Sequence, residues 1–329
     1  MTETKEHVLV TGGAGYIGSH AAKALARSGF IPVTYDSLVR GQRHAVRWGP
    51  LVEGDIGDRA KVLATMRQYE IKAVLHFAAF AYVGESTKHP EIYFENNVTK
   101  SLALLDACME AGMRHFVFSS SCATYGTPEQ VPITEEMPQL PLNPYGETKL
   151  AMERALSWYG RAHGFTWSVL RYFNAAGADV DGEIGEEHSP ETHLIPLVLE
   201  AALGLSTVEI YGDDYPTVDG TCVRDYIHVS DLAEAHVLAL KALSDGRASM
   251  ALNLGTGEGQ SVRQVIGAVE KVTGRKVASR VVGRRAGDPP VLVADPAQAG
   301  RMLAWRPQCS DIVSIVGSAW KWHTRNSSS

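Results

Sequence analysis

The chain has 329 residues, 45% hydrophobic and 21% charged, enough to bury one large core or two modest ones. Its formal net charge of −6 leaves no basic footprint for nucleic acid, and no apolar run reaches the ~20 residues that a bilayer span needs. Cys108, Cys122, Cys222 and Cys309 show no CxxC or other ligand spacing, so they read as reduced thiols of a cytoplasmic protein, and no metal is expected.

The first seven residues are polar and enter a strand directly, so no signal peptide is expected; residues 326–329 read as a disordered tail. Residues 8–18 run Val-Leu-Val-Thr-Gly-Gly-Ala-Gly-Tyr-Ile-Gly, three β-formers followed by a glycine cluster. A helical pattern of Ile17, Ala21 and Leu25 begins near Tyr16. Gly12, Gly15 and Gly18 sit three apart, which allows a tight turn and the close approach of a phosphate to the helix N-terminus. A second strand over 31–35 ends at Asp36, placed to accept hydrogen bonds from a ribose 2′-hydroxyl. Asp36 repels a 2′-phosphate, so the site reads as NAD rather than NADP; Arg40 and Arg43, close behind, weaken that preference.

Asp55 follows a short strand, either at the edge of the adenine pocket or in the N-cap region of a helix over 58–69. A strand over 72–76 leads into Phe77, Ala78 and Ala79, small enough in part for backbone to lie against a ligand. A long helix over 90–112 carries Ile92, Val98, Leu102, Leu105 and Cys108, interrupted by Asn96 and Asn97, which serve as structural hydrogen-bonders or as ligand contacts. The strand over 115–118 closes on Ser119-Ser120-Ser121-Cys122. Asn143 and Pro144 open the next helix, in which Tyr145 and Lys149 share one face. A strand over 167–171 completes a regular alternation, which predicts an α/β fold: a doubly wound parallel sheet of Rossmann type.

Beyond Asn174 the pattern breaks. A helix over 194–203, strands over 208–211, 250–254 and 276–282, and helices over 230–243, 261–273, 296–303 and 311–322 remain. The division expected is an NAD-binding domain of 1–173 plus 222–257 and a smaller mixed α/β substrate domain of 174–221 plus 258–329.

Ser121, Tyr145 and Lys149 form the constellation with chemistry in it. A tyrosine hydroxyl ordinarily titrates near 10, too high for a base at neutrality. A lysine one turn away and the positive ring of NAD⁺ both favour the phenolate, which takes a proton from a substrate hydroxyl while Ser121 orients or relays. Arg224 and Arg285 are suited to a diphosphate.

With these motifs in place, the chain resembles the UDP-glucose 4-epimerases of the extended short-chain dehydrogenase/reductase superfamily. The residues that carry the resemblance are 11–20, 54–56, 83–86, 143–149, 170–174, 219–221 and 223–229, and it runs from near residue 7 to near 323. It implies tightly held NAD used without net redox change, with Tyr145 as base toward the sugar 4-hydroxyl and a 4-keto sugar that turns before hydride returns. Tyr16, Ile17, Asp36, Asp55, Ile56, Phe77, Asn96 and Lys149 match the family's cofactor positions, and Ser121, Tyr145, Phe173, Asn174, Arg224 and Arg285 its substrate and catalytic ones. His193, Leu194 and Asp288 join them as expected substrate contacts.

Dehydratases and decarboxylases of the superfamily carry an acid beside the active serine or threonine, where this chain has Cys122 and Ala123. Residues 77–83 and 121–126 also resemble the UDP-xylose/UDP-arabinose 4-epimerases, and a non-catalytic NAD-binding redox sensor is the distant alternative. Ala81 stands where a lysine is frequent, His193 where an asparagine is, and Leu292 falls in the sugar pocket with room for a 2-acetamido group. Apolar stripes on the helices over 90–112 and 144–163 imply a homodimer through a four-helix bundle, or packing on their own sheet.

Overall fold

Short apolar strands that alternate with helices set the architecture of the computed structural model, which describes residues 6–285 and 287–325. The polar start at 1–5 and the tail expected at 326–329 lie outside the described residues. The first half runs β1 (His7–Thr11), α1 (Tyr16–Arg27), β2 (Ile31–Asp36), β3 (Leu51–Glu53), α2 (Arg59–Gln68), β4 (Ala73–His76), α3 (Val83–Lys88), α4 (Pro90–Phe94), α5 (Lys100–Glu110), β5 (His115–Ser121), α6 (Pro144–His163) and β6 (Thr166–Tyr172). The second runs β7 (Asn174–Ala176), α7 (Leu194–Ala202), β8 (Val208–Tyr211), β9 (Val223–His228), α8 (Val229–Ser244), β10 (Met250–Leu254), β11 (Gly259–Ser261), α9 (Val262–Thr273), β12 (Ser279–Val282), β13 (Val291–Leu292), α10 (Ala297–Leu303) and α11 (Ile312–Thr324).

Seven strands pair in parallel in the order β10-β6-β5-β4-β1-β2-β3. Along each central strand, alternate side chains enter opposite cores. Val8, Val10, Leu75, Val117 and Leu170 pack under α1 and α8, whereas Leu9, Val74, Phe116, Phe118 and Val169 pack under α2, α5 and α6. Both faces are covered, which is why these strands read as continuous apolar runs. The chain is thus a doubly wound α/β protein.

The helix expected over 90–112 is α4 and α5 joined by a π-helical turn, Glu95–Thr99, at the asparagine pair. Asn97 is buried and clamps the backbone of Phe80, accepting its N–H at 2.8 Å and donating to its carbonyl at 3.0 Å. Asn96 lines the cavity described below.

β9 gathers β7, β11 and β13 into a small mixed sheet, and β8 pairs with β12. Helices α7, α9 and α11 close a third core beside it. Two buried links bind this part to the large sheet. Lys23 on α1 is 5% exposed and donates to Asp179, Asp181 and Glu183 at 2.7, 2.8 and 2.7 Å. The Tyr16 hydroxyl donates to the Gly177 carbonyl at 2.6 Å.

Three imidazoles are fully buried on either side of the sheet. Burial pushes His20 and His236 down to about 4, and burial with the Lys149 charge pushes His76 to about 3, from 6.5. The unfolded chain takes up these protons first, so this contribution is complete above 6.5 and is lost as pH falls toward 4. Thermal unfolding is expected to shift to lower temperature between neutral pH and about pH 5, and to shift less in His236→Gln; identical pH profiles for the two proteins would refute this.

Candidate active site

Strands β1 to β6 all end on one side, and a cavity of about 1390 Å³ runs along those ends. In an open parallel sheet this is where ligands bind. All the residues expected to bind cofactor line it, from Gly12, Gly15, Tyr16, Ile17 and Gly18 through Asp36, Asp55, Ile56, Phe77, Ala78, Ala79 and Asn96 to Tyr145, Lys149 and Phe173. So do the expected substrate residues Ser121, Asn174, His193, Leu194, Arg224, Arg285 and Asp288. They are brought together from both parts of the chain.

The dinucleotide end is built from backbone. Gly12 has φ +72°, and a Cβ there would lie 2.6 Å from the Ala78 nitrogen. Gly15 is the N-cap of α1 and provides no capping side chain, so the first N–H groups of the helix stay available. At the end of β2, Asp36 accepts from Ala14 N–H at 3.0 Å and Leu38 N–H at 2.8 Å. Burial raises its pKa against these two bonds, and each oxygen keeps a lone pair for a diol. Arg40 instead pairs with Glu85 at 2.6 Å and stacks on Phe80, and Arg43 pairs with Glu53. Neither arginine pairs with Asp36, so both are engaged away from a 2′-phosphate. The uncapped helix start, the approach only glycine allows and the diol-facing carboxylate fit NAD.

Asp55 does not cap α2. Asp58 does, accepting from Lys61 N–H at 3.0 Å, while Asp55 binds Gly57 N–H at 2.8 Å and Lys100 Nζ at 2.5 Å.

The chemical end lies where α6 starts. Asn143 caps it by accepting Gly146 N–H at 2.9 Å, and a Cβ on Gly146 would stand 2.5 Å from the Ala123 carbonyl. Glycine there lets α6 lie against the turn that carries Ser121. The buried Tyr145 hydroxyl is pushed up to about 12 by burial, with the Ser121 hydrogen bond pulling the other way. Burial lowers Lys149 to about 7, opposed by Glu153. Lys149 donates to the Ser119 carbonyl at 2.8 Å, and its ammonium lies 5.7 Å from the Tyr145 ring centre. Among the protein's own groups burial is the largest influence on the phenol; the positive ring of NAD⁺, which the sequence reading counts beside Lys149, acts when the cofactor is bound.

Arg224 pairs with Asp288 rather than with its neighbour Asp225. Asp225 is buried and accepts from Thr256, Gly257 and Ala294 N–H groups. Arg284 pairs with Asp214 at 2.6 Å, whereas Arg285 lies 3.8 Å over the Tyr211 ring and has no ion pair among the described residues.

Two features escaped the sequence reading. Glu153 and Arg171, buried beneath the Tyr145–Lys149 face, form an ion pair at 2.6 Å with Tyr125 and Ser120 bound to it. The spacing Tyr145, Lys149, Glu153 on one helix face was the available signal. Glu186, His188 and His193 line the cavity, and Glu191 gathers with them. Their signal is a run of alternating acids and histidines within eight residues.

Comparison with known proteins places these features in a family. The sequence model of the NAD dependent epimerase/dehydratase family matches residues 8–255. A protein of Rhizobium leguminosarum bv. trifolii described as UDP-glucose 4-epimerase is 52% identical over 322 residues, 98% of each chain. The crystal structure of UDP-glucose 4-epimerase from Brucella ovis in complex with NAD superposes with a TM-score of 0.94 at 53% identity, covering 96% of this chain and 97% of the other. That of UDP-glucose-4-epimerase from Stenotrophomonas maltophila, with bound NAD and formylated UDP-arabinopyranose, gives 0.95 at 43% identity over 98% and 99%.

Gly12→Val has no space for its side chain against Ala78. The expected outcome is a folded protein, by circular dichroism, that purifies without NAD and takes up none in a titration; normal NAD content would contradict the assignment of the turn.

Proposed function

The chain belongs to the UDP-glucose 4-epimerase family of NAD-dependent isomerases, and from that premise we propose that it interconverts UDP-glucose and UDP-galactose at C4. The observation that carries the reading is the convergence of Tyr145, Ser121 and the arginines Arg224 and Arg285 on the same cavity as the glycine turn and Asp36. Its size accommodates a dinucleotide and a sugar nucleotide side by side.

Tyr145 takes the proton of the sugar 4-hydroxyl and returns it after the sugar has turned. NAD, when bound, would supply the hydride acceptor and donor for C4 and a positive charge that favours the phenolate. Ser121 holds the hydroxyl of Tyr145 in place and orients the substrate oxygen. Lys149, fixed to the Ser119 carbonyl, supports the cofactor side of the phenol. Arg224 and Arg285 grip the diphosphate, with Asp288 fixing the first of them. Asn174, His193 and Leu194 line the sugar-nucleotide arm. Asp36 holds the adenosine ribose, and Asp55 with Ile56 forms the adenine edge.

We propose the two-domain division of 1–173 plus 222–257 and 174–221 plus 258–329 on the separation of the large core from the third one, with 299–305 of the second unit packed on the first. Ala299, Leu303 and Trp305 pack on the large core, so α10 buttresses the cofactor side. Leu105 and Cys108 of α5 and Met152 and Leu156 of α6 are spent on their own sheet. Ile92, Phe94 and Trp158 remain 37%, 44% and 67% exposed and supply the apolar face for a homodimer. Among the described residues, no helix is long and apolar enough to cross a membrane.

Purified protein given UDP-galactose is expected to form UDP-glucose with no net NADH, by chromatography and absorbance. Turnover of UDP-arabinopyranose alone would favour the pentose epimerase, and NAD binding with no turnover of either would overturn both. Tyr145→Phe should cut the rate by about 10²–10⁴-fold while NAD stays bound. Sedimentation is expected to give a dimer that Phe94→Glu dissociates.

A further inference from the structure

Two segments leave the sheet on either side of the glycine turn. One follows β2 and spans 37–42; the other follows β4 and spans 77–82, before α3 begins. Strand β1 stands between β2 and β4, so a contact between these segments crosses the end of β1, where the glycine turn lies. Arg40 and Glu85 make such a contact. Across 45 residues of chain, Arg40 donates to the Glu85 carboxylate at 2.6 Å. Its guanidinium lies 4.1 Å from the centre of the Phe80 ring and 4.8 Å from that of Tyr82. All four residues line the cavity.

Both footings of this bridge are held by backbone. On the β2 side, Leu38 adopts φ +57° with its N–H on the Asp36 carboxylate, and the Ala14 carbonyl accepts Gln42 N–H at 2.8 Å. A Cβ on Gly41 would stand 2.8 Å from the Ala14 Cβ and 2.8 Å from Asp36 Oδ1, so the segment presses on the glycine turn itself. On the β4 side, Asn97 clamps the backbone of Phe80. The hydroxyl of the buried Tyr93 accepts Tyr82 N–H at 2.9 Å and donates to Glu85 at 2.7 Å. Glu85 is therefore aimed independently of Arg40.

The join between the footings is one side chain. Arg40 and Glu85 are 34% and 31% exposed, so Arg40 can rotate outward into solvent while both footings stay in place. A planar guanidinium that pairs with a carboxylate and rests on two rings has one well-defined closed position.

We propose that Arg40 and Glu85 form a clasp closed over the dinucleotide groove, and that NAD enters or leaves when Arg40 swings out. A dinucleotide stretched from Asp36 to Tyr145 passes beneath it. The clasp sets how long the cofactor stays and takes no part in the chemistry at Tyr145. It rests on the dinucleotide site and is independent of which sugar nucleotide the enzyme uses.

Protein purified with its NAD is mixed with excess deuterium-labelled NAD, and the label retained on the protein is followed by mass spectrometry. Arg40→Ala and Glu85→Gln, checked for folding by circular dichroism, are each expected to exchange about 3–10-fold faster than wild type. The double variant should exchange no faster than the faster single one, because both changes open the same join. The direction in Glu85→Gln separates a clasp from a simple phosphate contact: if Arg40 served only to attract the cofactor's phosphates, removing the acid that competes for it would slow exchange. A wild-type rate in either variant, a slower rate in Glu85→Gln, or accelerations that multiply in the double variant would each overturn the proposal. If the variants do not fold, wild-type exchange against ionic strength decides it: acceleration by salt supports the clasp, and indifference to salt overturns it.

Discussion

Between Gly12 and the backbone of Ala78 there is no room for one more carbon atom, and the rest of the site is placed by that contact. It brings the end of β1 against the end of β4, so the turn and the Phe77–Ala79 backbone form one continuous wall. It also fixes where α1 begins. The open N–H groups of that helix, the carboxylate of Asp36 and the hydroxyl of Tyr16 are then in position without further adjustment. A side chain at Gly12 would move all of them at once.

On the other side of the cavity the ordering element is a buried charge pair. Tyr145, Lys149 and Glu153 follow one another along the same face of α6. Glu153 is held by Arg171 on β6, and Ser120 on β5 binds the same carboxylate. Helix and strands are thereby locked in register beneath Tyr145 and Lys149, with Ser121 opposite Tyr172 in the sheet. Removing one member of such a pair costs about 3–5 kcal/mol, because the other is left charged and buried. The tyrosine therefore stands on a support far stiffer than a surface helix would give it.

The first 173 residues were legible because each signal there is local. Strand, glycine turn and helix are adjacent, Asp36 closes the next strand, and Asn96–Asn97 marks the π-helical turn by breaking an apolar pattern. What stayed hidden depends on distant partners. Nothing local to Lys23 marks it as buried; the segment 179–183, some 156 residues away, folds over it. Arg224 invites pairing with its neighbour Asp225, yet Asp225 turns inward to backbone N–H groups and Asp288 arrives from 64 residues away. The phenol of Tyr145 shows the same limit in energy: helix spacing reveals that Lys149 is near, while only the fold reveals that burial and the Ser119 carbonyl decide what each group does.

The Lys23 cluster also determines which way the molecule can breathe. Separating α1 from the segment 179–183 would break three ion pairs to one buried ammonium at once. That edge is a fixed abutment. The opposite rim is held by the exposed Arg284–Asp214 pair and by Arg285 resting on Tyr211, contacts that solvent screens and that contribute little. The rim formed by Tyr211, Asp214, Arg284 and Arg285 is therefore the side of the cavity with the less to break when it opens.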